Sequence, residues 1–181
     1  MILTDRQILA ERKKGTIIIR PFDRPCLGSN SCDVHLGPWL AMDEDEILDC
    51  RQHNRVRSFR IPKEGIVLVP SKLYLGVTRD YTETHRHVPF LGGKSSIGRL
   101  GIDIHATASK GDVGFCNHWT LEISVRQPAR IYAGMPIGQL IYFEVSGTVD
   151  TPYGKKRGAK YVRKSAKPVE SMMYRNFDDK R

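Results

Sequence analysis

The chain has 181 residues, 40% of them hydrophobic and 27% charged, with 29 Lys and Arg against 20 Asp and Glu for a formal net charge of +9. That length and composition fit one globular domain, or a domain plus a tail, and exclude a disordered or fibrous chain. No apolar run reaches membrane-span length, and Met1-Ile2-Leu3-Thr4-Asp5 lacks the basic start and apolar centre of a signal peptide, so the expected location is cytoplasmic with no membrane partner.

Thr4, with Gln7 three residues on, has the form of a capping box, and the segment 5–13 reads as a helix stopped by Gly15. Thr16-Ile17-Ile18-Ile19 is a β-branched run closed by Arg20-Pro21. Ser31-Cys32-Asp33-Val34-His35-Leu36-Gly37 alternates as a half-buried strand would. The acids Asp43-Glu44-Asp45-Glu46 read as a solvated turn. Further strands are expected at 65–70, 74–78, 88–91, 121–125, 130–132 and 137–145, punctuated by Gly and Pro. Short strands without intervening long helices predict a mainly β roll or barrel. From about Gly147 the chain becomes polar and basic, which reads as a mobile tail.

Much of the positive excess sits in that tail, at Lys155-Lys156-Arg157, Lys160, Arg163, Lys164 and Lys167. A basic arm suits an anionic partner, either a phosphorylated small molecule or a nucleic acid, and charge alone does not separate them. Cys26, Cys32, Cys50 and Cys116 are scattered, with no C-x-x-C pair and no His-x-Glu partner upstream, so reduced thiols and no zinc are expected.

The stretch from Gly92 to Glu122 carries the chemistry. Gly93-Lys94-Ser95 ends like a P-loop, but that motif needs a glycine where Val88 stands. What remains is a basic Gly-Ser turn between strands. It reads as a surface hairpin, or as a phosphate nest with Lys94 and Ser96 on the oxygens and Ser95 and Arg99 pointing inward. Glu122 lies between Leu121 and Ile123, so by period two it faces away from both, towards water or a pocket. Asp112 follows Gly111 as a turn-forming aspartate would. His85-Arg86-His87 reads as an exposed loop, and His105 has no acid or cysteine placed to make it a ligand or a triad member.

The run GKSSIGRLGIDIHATASKGDVGFCNHWTLEI resembles the signature of the dCTP deaminase family, trimeric relatives of dUTPase. Met1–Arg6 with Ile8, the segment Ser31–Gly37, Ile137-Gly138-Gln139-Leu140, and Tyr153 with Lys160-Tyr161 extend the match in order along almost the whole chain. The resemblance implies a dUTPase-like distorted β-barrel or jelly roll (a β-clip) with a short N-terminal helix. Residues 1–150 would form the nucleotide-binding domain, and 151–181 a basic lid closing over a triphosphate.

It also implies hydrolytic deamination of dCTP to dUTP and ammonia, cleavage of a C–N bond in a cyclic amidine, in the supply of dUMP and dTTP. No zinc is implied, and Mg²⁺ would arrive with the substrate. Glu122 matches the general base, Ser95 and the Ala108 carbonyl the groups holding the water, and Arg99 the arginine that fixes Glu122. Lys94, Ser95, Ser96, Ile97, Gly98 and Arg99 match the turn that binds substrate, and Asp112 the partner of the deoxyribose 3′-hydroxyl. Thr120, Leu121 and Glu122 match the residues at the pyrimidine edge. Gln139, Tyr153, Lys160 and Lys164 complete the substrate-binding set. A homotrimer with shared sites follows, with dTTP or dUTP as further ligands, and nucleic acid is not an expected partner.

Where the family tail usually has Gln the chain has Lys164, where it has an apolar residue before the aspartate the chain has Lys110-Gly111, and Asn117 replaces a common glycine. Bifunctional members, which continue to dUMP and diphosphate, commonly carry Ala-Gly-aromatic-Ile-Asp. Ala108-Ser109-Lys110-Gly111-Asp112 looks more like the arrangement that stops at dUTP. A basic nucleic-acid-binding or regulatory protein on a degenerate version of the fold is the reading from another class.

Overall fold

A computed structural model describes residues 1–177. The mainly β expectation holds: twelve strands and two short helices make up the regular structure of the described residues, apart from single turns of 3₁₀ helix. Helix α1, Asp5–Lys14, begins on the expected capping box, in which Thr4 accepts from the Gln7 N–H and the Gln7 side chain accepts from the Thr4 N–H. It ends at Gly15, whose φ of 75° favours glycine. Ile8 is its fully buried anchor.

The strands are β1 (Ile17–Arg20), β2 (Cys32–Asp43), β3 (Val56–Arg60), β4 (Ile66–Leu68), β5 (Tyr74–Thr78) and β6 (Tyr81–Thr84). After them come β7 (His87–Gly93), β8 (Ile102–Asp103), β9 (Cys116–Asn117), β10 (Thr120–Val125), β11 (Ala129–Ile131) and β12 (Pro136–Glu144). The largest sheet runs β7-β12-β2-β5-β10-β8, with β3 paired to β2. A three-stranded sheet runs β1-β6-β9, and β4 pairs with β11. Every assigned strand pair is antiparallel. One hydrophobic cluster joins the three sheets, drawing Val34, Leu91, Leu121 and Leu140 from the first, Ile17 from the second and Ile131 from the third. The N-terminus is stitched alongside β12 by the Leu3 N–H to Tyr142 carbonyl bond at 2.9 Å.

The structure departs from the sequence reading in several places: β3 and β9 lie outside the expected strands, and four further differences bear on the site. Strand β2 runs on to Asp43 past Gly37-Pro38, and its register with β5 shifts between Leu36 and Leu40, where an irregularity accommodates the proline. Strand β6 escapes an apolar pattern because its inward residues are threonines, Thr82 and Thr84, buried by hydrogen bonds to the Asn117 and His87 carbonyls. His87 is not in an exposed loop; it is buried at the head of β7. The Gly-Ser turn is a single turn of helix, α2 (Ser95–Gly98), capped at Lys94. That turn sends Ile97 into the core and leaves Ser95 and Arg99, four residues apart on one face, exposed rather than pointing inward.

Beyond Glu144 the described chain has no strand, only single 3₁₀ turns at Tyr153–Lys155 and Met173–Asn176. It nonetheless lies against the body, through contacts set out below. The last four residues of the expected lid, 178–181, are outside the described residues.

Candidate active site

Strand β10 divides the core from the site. Leu121 and Ile123 are fully buried, while Thr120 and Glu122 on the opposite face line a cavity of about 550 Å³. Leu75 of β5, opposite Glu122, lines it as well. The facing wall comes from Ala108, Lys110 and Asp112, and the rim from Tyr153, Tyr161 and Val169 of the tail. Phe115 and Trp119 form an aromatic side: their ring centroids are 4.9 Å apart, and Phe115 is 5.9 Å from Tyr153. The Trp119 indole N–H donates to Thr82 Oγ1 at 3.0 Å, so the ring is fixed by a buried partner.

Glu122 Oε2 accepts the Ala106 N–H at 3.1 Å and lies 3.7 Å from Nδ1 of His105, whose side chain is only 10% exposed. The acid that His105 lacks in the sequence reading is therefore Glu122, brought across by the β8–β10 pairing. His105, followed by the Ala106 N–H, holds the Glu122 carboxyl below its ordinary value, against the opposing pull of partial burial. The Glu122 carboxyl is thus ionised near neutrality, in a site where burial strengthens its interactions. Replacing His105 by Ala removes the largest lowering influence and leaves the raising one. If turnover needs the ionised Glu122, it is lost as pH falls through the folded pKa, and the acid limb of the pH–rate profile of His105→Ala should move to higher pH. An unmoved limb would separate His105 from the ionisation of Glu122.

Asp112 pairs with the Lys110 ammonium at the cavity wall. The residue that departs from the family pattern thus occupies the proposed sugar-binding carboxylate in the free chain.

A residue with no assigned site role holds the tail down. Asn117, 3% exposed, donates through its amide to the Arg163 carbonyl at 2.9 Å and the Tyr161 carbonyl at 3.4 Å. Its Oδ1 accepts the Ser165 N–H at 3.0 Å and the His118 N–H at 2.9 Å. Two further bonds extend the clasp: Val169 N–H to Thr120 Oγ1 at 3.1 Å, and Tyr161 N–H to the Tyr153 hydroxyl at 3.1 Å. The only signal in the sequence is the replacement of a common glycine at position 117.

The other expected residues lie apart. Lys94 pairs with Asp33, and the Arg99 guanidinium donates weakly to Ser95 Oγ at 3.5 Å. Gln139 on β12 is in register with both Asp33 and Gly92, and accepts from the Ser31 hydroxyl at 3.4 Å. None of Lys94, Ser95, Ser96, Gly98, Arg99 and Gln139 lines the Glu122 cavity. Ile97 and Leu121 are core side chains, so any ligand contact from them is restricted to main chain. Lys160 is half-buried in the tail away from the lining. Lys164 turns to Tyr81, its ammonium 5.0 Å from the ring centroid. One chain therefore brings together Glu122, Ala108, Asp112, Thr120 and Tyr153, and leaves the α2 group separate.

The family model described as dCTP deaminase-like matches residues 2–145. A protein of Clostridium acetobutylicum named "dCTP deaminase, dUMP-forming" is 45% identical over 178 residues, 98% of this chain and 99% of its own length. One of the same name from Leptospira biflexa is 43% identical over 180 residues, 99% of this chain and its own full length. A crystal structure of 2′-deoxycytidine 5′-triphosphate deaminase from Agrobacterium tumefaciens superposes with a TM-score of 0.62 at 21% identity. It covers 78% of this chain, and this chain spans 47% of that one, a likeness of fold.

Proposed function

The chain belongs to the dCTP deaminase-like family, and we propose that it deaminates dCTP and carries the product on to dUMP and diphosphate at the same site. The observation that carries the chemistry is Glu122, an ionised carboxylate on the polar face of β10 with a cavity in front of it. Glu122 takes a proton from a water that attacks C4 of the pyrimidine. It passes that proton to N3, and the next to the departing amine, so dCTP and water give dUTP and ammonia. A second water then cleaves between the α- and β-phosphates to give dUMP and diphosphate.

The choice of end product reverses the one favoured by Lys110. That argument rested on a single residue beside Asp112, whereas the dUMP-forming relatives match over 98–99% of the chain. Lys110 is exposed and already paired to Asp112, so it is a local change at the cavity wall rather than a different site.

The substrate enters as its Mg²⁺ complex. Asp112 would take the sugar hydroxyl, Thr120 and the main chain of Leu121 the base edge, and Ala108 the attacking water. Tyr153, Lys160 and Lys164 belong to the tail that covers the triphosphate, Lys164 after turning away from Tyr81. Lys94, Ser95, Ser96 and Arg99 stand outside the cavity of their own chain, which supports a homotrimer in which a neighbour's α2 supplies the phosphate turn and the arginine. No described helix is long and apolar enough to cross a membrane, and a cytoplasmic enzyme is the reading we adopt.

Incubation with dCTP and Mg²⁺, resolving ammonia, dUTP, dUMP and diphosphate, tests this directly. Ammonia, dUMP and diphosphate in equal amounts support the proposal. Accumulating dUTP would restrict the protein to deamination. No product from the intact oligomer would sink the assignment, and salt-dependent duplex binding in that case would favour the nucleic-acid class.

A further inference from the structure

We propose that Glu83, His85 and Cys116 form a binding site for a borderline divalent cation of the Zn²⁺ type, separate from the Glu122 cavity. One ligand atom from each of the three lies within 4.8 Å of the other two. None of the three lines the cavity. The strand geometry explains the convergence. Glu83 of β6 is directly opposite Cys116 of β9, and His85, two residues beyond Glu83, falls on the same side of the chain. The His85 main chain is held in line by its N–H to the Thr16 carbonyl at 2.9 Å.

The carboxylate is oriented as a ligand would be. Tyr81, also on this side, donates its hydroxyl to Glu83 Oε1 at 2.9 Å, while Oε2 lies 2.9 Å from His85 Nε2. A partner that holds one oxygen and leaves the other facing the imidazole is what an outer shell supplies to a metal site. Zinc bonds of about 2.0–2.3 Å put tetrahedral ligands about 3.3–3.8 Å apart. To bind an ion the trio would have to close by up to about 1 Å, a movement asked of the exposed His85 and half-buried Cys116 side chains. A mixed O, N and S set selects Zn²⁺ over Mg²⁺ or Ca²⁺, which prefer oxygen alone. The Cys116 thiol, which now donates to the Gly114 carbonyl at 3.5 Å, would release its proton to solvent as the metal–sulfur bond forms. C-x-x-C spacing does not reveal such a site, because its ligands come from β6, the bend that follows it, and β9.

Lys164 is the competitor. Its ammonium sits over Tyr81, 5.0 Å from the ring centroid, and the Tyr81 hydroxyl is the group that holds Glu83. The flanking Arg163 carbonyl and Ser165 N–H are the groups gripped by Asn117. A dication at the trio would repel Lys164 and loosen the tail beside it. That consequence for turnover rests on the function proposed above, whereas cation binding does not.

Co²⁺ is the probe, as a coloured stand-in for Zn²⁺. The full chain should carry Cys50→Ser, since Cys50 is an exposed thiol that could bind metal on its own. One equivalent of Co²⁺ should produce a thiolate-to-metal absorption band that Zn²⁺ abolishes by displacement. Adding Cys116→Ser should remove the band. His85→Ala, at an exposed position that the core does not need, should weaken binding at least about tenfold. Lys164→Ala should tighten it severalfold. No band at one equivalent, or a band that persists without Cys116, would overturn the site. Unchanged affinity in Lys164→Ala would overturn the competition with the tail.

Discussion

Glu122→Gln is expected to lower ammonia release from dCTP by about 10²–10⁴-fold while leaving dCTP affinity nearly unchanged. Glutamine keeps the shape of the side chain and an oxygen for the Ala106 N–H, so the loop packed on β10 has no reason to move. It cannot take a proton from water or return one to the departing amine. Single-turnover ammonia release, paired with calorimetric titration of dCTP, separates the two quantities. Full activity in the variant would remove Glu122 from the chemistry. A loss confined to binding would make it a recognition residue instead.

Asn117→Ala should release the tail. Three of the four hydrogen bonds of this side chain reach Tyr161, Arg163 and Ser165, and each is worth about 0.5–1.5 kcal/mol net. Their loss should shift the docking equilibrium by about 2–4 kcal/mol, or about 30- to 10³-fold. The segment between Lys155 and Lys167 is dense in Lys and Arg, so trypsin reads its release directly. Cleavage there should accelerate by at least about tenfold, and kcat/KM for dCTP should fall about 10- to 100-fold. The His118 N–H also loses a partner, so thermal unfolding of the body must be followed in parallel. Wild-type proteolysis and kcat/KM together would show that the tail is held elsewhere.

How much of this was legible in the sequence depended on the kind of interaction. Helix α1 was readable because its capping box is local, and β10 because alternation around Glu122 is a period-two signal. Strand β6 was not, since threonines rather than aliphatics fill its buried face, satisfied by partners distant in sequence. The approach of His105 to Glu122 depends on two strands pairing across 17 residues, and the Asn117 clasp on main-chain groups more than 40 residues away. Neither leaves a pattern in composition or spacing. The family resemblance gathered Arg99, Ser95 and Glu122 into one site. In one chain they belong to different groups, because α2 turns Ser95 and Arg99 outward while Ile97 anchors it to the core.

The two faces of β10 carry one further consequence. Leu121 and Ile123 bind the strand into the core, while its other face and its approaches carry Glu122 itself, the 105–112 loop through Ala106, and the tail through Thr120 and Asn117. The packing that stabilises the body therefore keeps the Glu122 strand in place without fixing what surrounds it. Substitutions in the loop or the tail, at positions such as Lys110, Asn117 and Lys164, can therefore change how those segments sit over the cavity while Glu122 stays where the core puts it.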